Sequence, residues 1–403
     1  MREGQGYSSL RIVRTQVAIV GAGPAGLLLA QLLHREGIDS VVLENRSRAY
    51  VEKRVRAGVL EHPTVDLLRE AGMADRLDRE GLVHHGISLR FDGADHRIAF
   101  DELTEKSITV YGQQEVVKDL IAARIDLGAP LLFEVSDVAL HDLGGDTPRV
   151  TFRGPDGQPE DIVCDYVAGC DGFHGVTRET ALANGGATVY DHTYPFAWLG
   201  ILAEAPPSHE ELIYARHERG FALHSMRSAK ITRMYLQVPP EVDVADWPDE
   251  RIWAELRVRL AADGFALTEG PVLEKSITGM RSFVIEPMRY GRLLLAGDAA
   301  HIVPPTGAKG MNLAIADVRR LSAALTAQLK LGRGELLAGY SEACLRRVWR
   351  AEHFSWWMTS MLHRFDDSDP FSQQLQLSQL RYTTSSRAAA TSLAENYVGL
   401  PYD

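Results

Sequence analysis

Apolar residues in this chain fall into short runs and periodic stretches separated by glycine-rich turns. Thr15 to Val20 (TQVAIV) is a β-branched apolar run of the kind that fills a parallel strand covered on both faces. GAGPAG follows at once. From Pro24 to Glu36 the leucines Leu27, Leu28, Leu32 and Leu33 recur with helical spacing, and Gly37 closes the predicted helix. Val41-Val42-Leu43-Glu44 then reads as a second strand, so strand, glycine turn, helix and strand succeed one another within about 30 residues, as in a βαβ unit.

Two later segments, Asp165 to Gly172 and Gly291 to Ala300, again set a short apolar strand before a Gly and an Asp, and predict returns to the same sheet. Between them, Pro195 to Val238 is rich in aromatic and β-branched residues and alternates at Tyr235-Leu236-Gln237-Val238, which predicts a separate, largely antiparallel sheet. From Val318 onward the pattern is helical, and Phe354 to Phe365 concentrates aromatic and methionine residues on a predicted helix. No internal repeat, low-complexity tract or linker is present. The first 14 residues read as a loose extension, without the apolar core or small-residue cleavage site of a signal peptide.

Composition narrows the class. With 403 residues and 45% apolar content the chain is long enough for one large core or two joined ones, and two interlocked domains are expected. A formal charge of -11, with the basic residues dispersed, excludes the basic stripe that nucleic acid requires. The apolar runs are far shorter than a membrane span, so no membrane partner is expected. Three scattered cysteines, Cys164, Cys170 and Cys344, make no disulfide framework and fit a reducing cytoplasm. The 14 histidines show no metal-ligand spacing: His84 and His85 are adjacent, but sequence neighbours point apart, so no metal is expected.

Gly21, Gly23 and Gly26 match G-x-G-x-x-G: the first permits a tight turn, the second lets the backbone approach a pyrophosphate, the third packs the helix on its strand. Glu44, ending the second strand, stands where a carboxylate accepts hydrogen bonds from an adenosine ribose. Together these point to a dinucleotide. Gly297-Asp298 ends another strand, and Pro304 to Asn312 (PPTGAKGMN) is a glycine-punctuated turn entering a helix. A helix start aimed at a cofactor ring would stabilise the negative charge of reduced flavin; an ordinary strand-to-helix loop would look the same.

Taken together, GAGPAG with Glu44, Asp171-Gly172 in GCDGFHG, and LLLAGDAAHIVPPTGAKGMN resemble the class A flavoprotein monooxygenases, aromatic hydroxylases that use FAD. RVRAGVLE (54 to 61), ELIYA (211 to 215), SMR (225 to 227), FSWWMTSMLHRF and ENYVGLPY (395 to 402) are similar to the branch acting on 4-hydroxybenzoate, and the likeness runs from about Thr15 to Tyr402. It implies a mixed α/β (α+β) fold. A Rossmann-like FAD-binding domain with a parallel sheet (15–85, 110–190, 280–330) would interleave with a mostly antiparallel substrate domain (86–109, 191–279), before a C-terminal helical region (331–403).

The resemblance also assigns roles. Arg56 would lie at the FAD pyrophosphate, Arg54, Gln113, Asp171, Asp298 and Gly310 would bind the cofactor, the Asp298 carboxylate on ribityl hydroxyls, and Met311 and Asn312 would offer backbone donors to the flavin pyrimidine edge. Ser225, Arg227 and Tyr235 would clamp the substrate carboxylate, with Pro305 and Thr306 beside the hydroxylated edge of the ring. Tyr214 and Tyr397 would remove the phenolic proton, with His84 at the outer end of the relay. The implied reaction converts 4-hydroxybenzoate and O2 into 3,4-dihydroxybenzoate through a flavin C4a-hydroperoxide, with NADH or NADPH as transient reductant.

Relatives that prefer NADPH carry Arg directly after the acidic residue of the second strand. This chain has Asn45 there and Glu52 nearby, so NADH is expected to be preferred, with Arg46, Arg48 and Lys53 as candidate compensating charges. His224, Met226 and Met234 depart from the clamp pattern and are expected to widen tolerance for ring substituents. Phe354, Trp356, Trp357 and Met361 are candidates for either interior core or a homodimer face. Rival readings are hydroxylation of another phenolic acid such as 3-hydroxybenzoate, or a flavin-binding redox sensor that performs no oxygenation.

Overall fold

Parallel strands whose carboxyl ends point the same way dominate the first sheet. In order they are Leu293–Leu295, Tyr166–Gly169, Val17–Val20, Ser40–Leu43 and Leu131–Leu132, with Arg289–Tyr290 added antiparallel at one edge. Val17–Val20 and Ser40–Leu43 are buried at every position, as expected for apolar runs covered on both faces. Helix Pro24–Arg35 crosses between them and ends at Glu36, with Gly37 in the left-handed region (φ +67°). The computed structural model describes residues 11–54, 58–365 and 369–402.

The second large sheet has eight strands. Thr188–Ala203 lies between the long strand Val272–Glu286 and Thr232–Val238, followed outward by Ala222–Met226, Leu212–Ala215, Gly86–Phe91 and Ala94–Ala99. All pairings are antiparallel except that of Leu212–Ala215 with Gly86–Phe91. His301–Ile302 pairs with Phe283 and Val284, which ties this sheet directly to the turn leaving the first one.

Alternation gives the second sheet two apolar faces. Ile213, Met234, Leu236, Leu199 and Ile201 pack against Ile252, Trp253 and Leu256 of helix Asp249–Arg259. Tyr214, Leu223 and Trp198 face the other way, into a core shared with Phe354, Met358 and Tyr397 from the C-terminal helices Tyr340–Leu362 and Arg387–Val398.

Three features differ from expectation. Arg11–Arg14 is not a loose extension: it is an edge strand paired parallel to Pro159–Val163, in a four-stranded sheet with Arg149–Arg153 and Ser136–His141. Flanking charges, Arg11 and Arg14, hide a strand whose partner lies far along the chain. A three-stranded sheet, Val59–Leu60, Ile108–Val110 and Leu82–His84, was also not foreseen. The aromatic helix ends at Leu362, before Phe365; of the two readings offered for its aromatic and methionine residues, Phe354 and Met361 take the core, while Trp356 is half exposed.

Candidate active site

Every motif of the first sheet lies at a strand's carboxyl end: Gly21 after Val17–Val20, Glu44 after Ser40–Leu43, Asp171 just after Tyr166–Gly169, and Gly297-Asp298 after Leu293–Leu295. In open α/β sheets this edge is where ligands bind. Gly21 sits at φ +105°, and a Cβ there would lie 2.3 Å from the Cys170 carbonyl oxygen; a Cβ on Gly26 would lie 2.0 Å from the Gly21 oxygen. Gly23 is different. A Cβ there would meet nothing within 4 Å, so only a ligand would profit from its absence.

The surrounding groups fit a dinucleotide. Glu44 accepts from Ala22 N (2.9 Å) and Arg46 N (2.8 Å), which fixes the carboxylate beside the glycine turn with lone pairs to spare. Asp298 is exposed and accepts no hydrogen bond from the described residues. Helix Gly310–Leu331 begins without an acidic residue or side-chain cap, and the first intrahelical acceptance is Leu313 N on Lys309 O, so the amides of Gly310, Met311 and Asn312 point outward. The Asn312 side chain is engaged elsewhere, accepting from Glu61 N and donating to Val59 O and Ala308 O. Gln113 opens helix Gln113–Asp126 next to Gly58, whose carbonyl accepts from Tyr111 N, and Arg54 is exposed just before that stretch. Arg56 lies outside the described residues. Asp171 acts within the fold: its carboxylate accepts from Thr177 N and the Thr177 hydroxyl, capping helix Val176–Gly185, and burial raises its pKa.

The clamp residues come together on neighbouring strands. Leu223 lies opposite both Tyr235 and Tyr214, and Ser225 lies opposite Arg233, so alternation puts Tyr214, Ser225, Arg227 and Tyr235 on one face of the sheet. Arg227 donates to Ser225 Oγ (3.3 Å) and Met226 O (2.9 Å), but its Nε is buried without a partner. Burial lowers the Arg227 pKa, while the Tyr235 hydroxyl opposes that effect. A half-satisfied guanidinium facing inward is what a carboxylate would complete. Ser225 Oγ donates to Arg233 O (2.8 Å), so the serine now accepts from Arg227 rather than offering a free proton.

The same alternation removes His224, Met226 and Met234 from the clamp. They point to the opposite face, where Met234 packs toward helix Asp249–Arg259 and His224 accepts from Ser208 N. They cannot widen the ring pocket as expected.

Tyr214 and Tyr397 meet hydroxyl to hydroxyl at 2.5 Å, both fully buried, and burial raises both pKa values. His84 is also buried, its pKa lowered to about 4 by desolvation first, and its Nδ1 has no partner; it makes no direct hydrogen bond to either tyrosine. Pro305–Gly307 is a short 3-10 turn whose Pro305 carbonyl accepts from Ala308 N (3.0 Å), and Ala308 packs into the core that holds Tyr214, Tyr235 and Tyr397. The buried Thr306 hydroxyl bonds Thr359 (2.9 Å), leaving only its backbone for a ligand. Beside the turn, a cavity of about 30 Å³ lies on the Lys309 side.

Two features escaped the sequence reading. Arg233 lies on the clamp face, 5.3 Å over the Tyr235 ring, with weak contacts to Glu274 (3.5 Å) and Ser276 (3.4 Å) and an unpartnered Nε. The alternation of its strand was the available signal. Lys309, buried, pairs with Glu61 (2.6 Å) and also donates to the carbonyl of Asn396, next to Tyr397. This pair staples the 304–309 turn to the helix that carries Tyr397.

Comparison with known proteins decides the family. A profile described as FAD binding domain matches residues 14–355. The p-hydroxybenzoate hydroxylase of Acinetobacter baylyi is 50% identical over 396 residues, 98% of this chain and 97% of that one. The chain belongs to the family of FAD-dependent aromatic hydroxylases. Within it, a 3-(3-hydroxy-phenyl)propionate/3-hydroxycinnamic acid hydroxylase of Mycobacterium avium is longer: identity is 27%, over 80% of this chain and 57% of that protein. Among solved structures, p-nitrophenol 4-monooxygenase from Pseudomonas putida shares this hydroxylase fold with a TM-score of 0.82 at 20% identity, over 97% of this chain and all of the other.

Proposed function

We infer that this hydroxylase acts on 4-hydroxybenzoate, inserting one oxygen atom of O2 at the 3-position to give 3,4-dihydroxybenzoate, with FAD bound and NADH or NADPH as reductant. The observation that carries this reading is the shared sheet face that sets an under-satisfied guanidinium, Arg227, alongside the hydroxyl pair of Tyr214 and Tyr397. A carboxylate at one end and a phenol at the other of a single ring satisfy both.

FAD would be held by the Gly21-Gly23-Gly26 turn and Glu44, by Arg54, Arg56 and Gln113, by Asp298, and by the amides of Gly310 to Asn312. Bound there, the flavin supplies reducing equivalents taken from the nicotinamide and the activated oxygen atom. Arg227 anchors and orients the ring, with Tyr235 beside it. Tyr214 accepts a hydrogen bond from the substrate phenol and passes its own proton to Tyr397, since two neutral buried phenols relay a proton more readily than either stores a charge. His84, neutral near pH 7 and with an unpartnered Nδ1, stands as the outer acceptor. Loss of the phenolic proton enriches the ortho carbon that receives oxygen. The backbone of Pro305 and Thr306 lines the reacting edge.

NADH preference remains our reading of Asn45 and its neighbours: Arg48 is paired with Glu52 at 2.6 Å, so one of the candidate charges for a 2'-phosphate is already neutralised. Catalytic efficiency higher with NADPH would contradict it. Pairing of two copies is favoured by helix Pro370–Ser385, which exposes Phe371, Leu375 and Tyr382; a light-scattering mass of one chain would refute it. No helix among the described residues is long and apolar enough to cross a membrane. The three cysteines are free and buried, in keeping with a cytoplasmic enzyme; their recovery as a disulfide from native protein would contradict that.

Titrating the yellow holoenzyme with 4-hydroxybenzoate tests the substrate assignment. A saturable change in the flavin absorption band is expected; an unchanged spectrum at millimolar ligand refutes it.

A further inference from the structure

A large cavity among the described residues lies away from the clamp. It is a cleft of about 420 Å³ between the eight-stranded sheet, helix Asp249–Arg259 and the end of helix Tyr340–Leu362, and among the described residues four arginines line it with one carboxylate: Arg219, Arg251, Arg259 and Arg364 against Glu255. In a chain of formal charge -11 this is a local inversion of sign.

Each guanidinium is held in place by the fold. Arg259, buried, donates to Glu255 (2.9 Å) and to the carbonyls of Gln237 (2.8 Å) and Phe221 (3.3 Å). Arg219 bonds the other Glu255 oxygen. Arg251 stacks 4.0 Å over the Trp247 ring and donates to Asp246 O (2.9 Å). Arg364 donates to Glu218 O (2.6 Å), and its backbone is bound in both directions by the Gln237 side chain.

These partners are mostly neutral carbonyls, so they orient the cations without cancelling them, and one carboxylate is shared between two arginines. Burial depresses the Arg259 pKa, Glu255 opposes that, and Arg219 and Arg251 add to it, as expected where like charges crowd together. Every one of the four keeps a terminal nitrogen with no partner among the described residues. Phe196 and Trp247 supply flat apolar walls.

We propose that this cleft is a second ligand site, separate from the flavin and the clamp, that binds a small oxyanion of two or more charges, a polyphosphate or a polycarboxylate. Guanidinium forks match both oxyanions, and preorganised donors lose little freedom on binding either. The volume suits a ligand of a dozen or so heavy atoms, well within the usual range of small-molecule sites, about 300–1,000 Å³.

Isothermal titration of the holoenzyme, saturated with 4-hydroxybenzoate and held at constant ionic strength with chloride, tests this with two probes, inorganic pyrophosphate and citrate. One equivalent of at least one probe should bind per chain, and the probe that binds tells phosphate from carboxylate. The double variant Arg219→Gln/Arg251→Gln changes two exposed side chains, and its retained flavin absorption and turnover would show that it is folded. It should bind that probe at least tenfold more weakly, whereas Arg346→Gln, an exposed arginine elsewhere, should bind as the parent does. Absence of heat with both probes, or equal affinity in the parent and the double variant, would overturn the proposal.

Discussion

The hydroxyls of Tyr214 and Tyr397 lie 2.5 Å apart although 183 residues separate them in the chain. One is on a strand of the second sheet and the other on the last helix, held there by the Lys309–Glu61 pair and the Lys309 bond to the Asn396 carbonyl. Burial raises both phenol pKa values, so the resting pair is neutral near pH 7, which suits the proton relay proposed for it.

Replacing either tyrosine by phenylalanine breaks the pair without changing ring volume. For Tyr214→Phe, hydroxylation should slow by ~100-fold, at the lower end of what positioned proton transfer contributes, while KM for 4-hydroxybenzoate changes little. Chromatographic quantitation of 3,4-dihydroxybenzoate per nicotinamide consumed should show the shortfall as uncoupled oxidation. Unchanged yield in both variants would remove the pair from the mechanism.

Arg227→Gln removes the proposed anchor and keeps a polar side chain. Loss of a charge-assisted bidentate contact to a carboxylate should weaken 4-hydroxybenzoate binding by ~100-fold, equivalent to about 3 kcal/mol. Flavin-monitored titration reads this directly, and a Kd within threefold of the parent would mean that the carboxylate is held elsewhere.

The glycine turn separates fold from ligand. Gly26→Ala places a Cβ 2.0 Å from a backbone oxygen, so the protein should fail to accumulate as a soluble yellow species. Gly23→Ala meets nothing within 4 Å in the protein, so the flavin-free form should melt as the parent does while FAD binding weakens. Equal FAD affinity in Gly23→Ala, measured by fluorescence quenching, would place the pyrophosphate away from this turn.

Acid sensitivity follows from the buried histidines. Desolvation lowers His84 and His224 from 6.5 to about 4 and His363 to about 3. Depressed in the folded state, they stabilise it fully above pH 6.5, and that contribution is lost as pH falls toward 4 because the unfolded chain takes up protons first. His224→Gln, away from the clamp face, should therefore flatten the stability profile between pH 6.5 and 4 by up to one proton, about 1.4 kcal/mol per pH unit. Urea unfolding at several pH values measures the slope; parallel profiles would contradict it.

How much was legible before the structure depended on distance along the chain. The βαβ unit and its fingerprint glycines are local, so periodicity and turn residues sufficed. Tyr214, Ser225, Arg227 and Tyr235 were recognised by motif likeness, but only strand register reveals that they share a face, and register also moves His224, Met226 and Met234 to the other side. Arg11–Arg14 and the Glu61–Lys309 staple were hidden because their partners lie roughly 150 and 250 residues away, where no local pattern reaches. Asp171 and Thr306 were legible as motif members, while their engagement as helix cap and buried hydroxyl bond required side-chain geometry.

The most direct test of the account is product analysis of the purified holoenzyme supplied with O2, a reduced nicotinamide and 4-hydroxybenzoate. The account predicts cofactor oxidation strongly stimulated by 4-hydroxybenzoate, with close to one 3,4-dihydroxybenzoate formed per nicotinamide. Oxidation no faster than without substrate, or a different hydroxylation product, would contradict it.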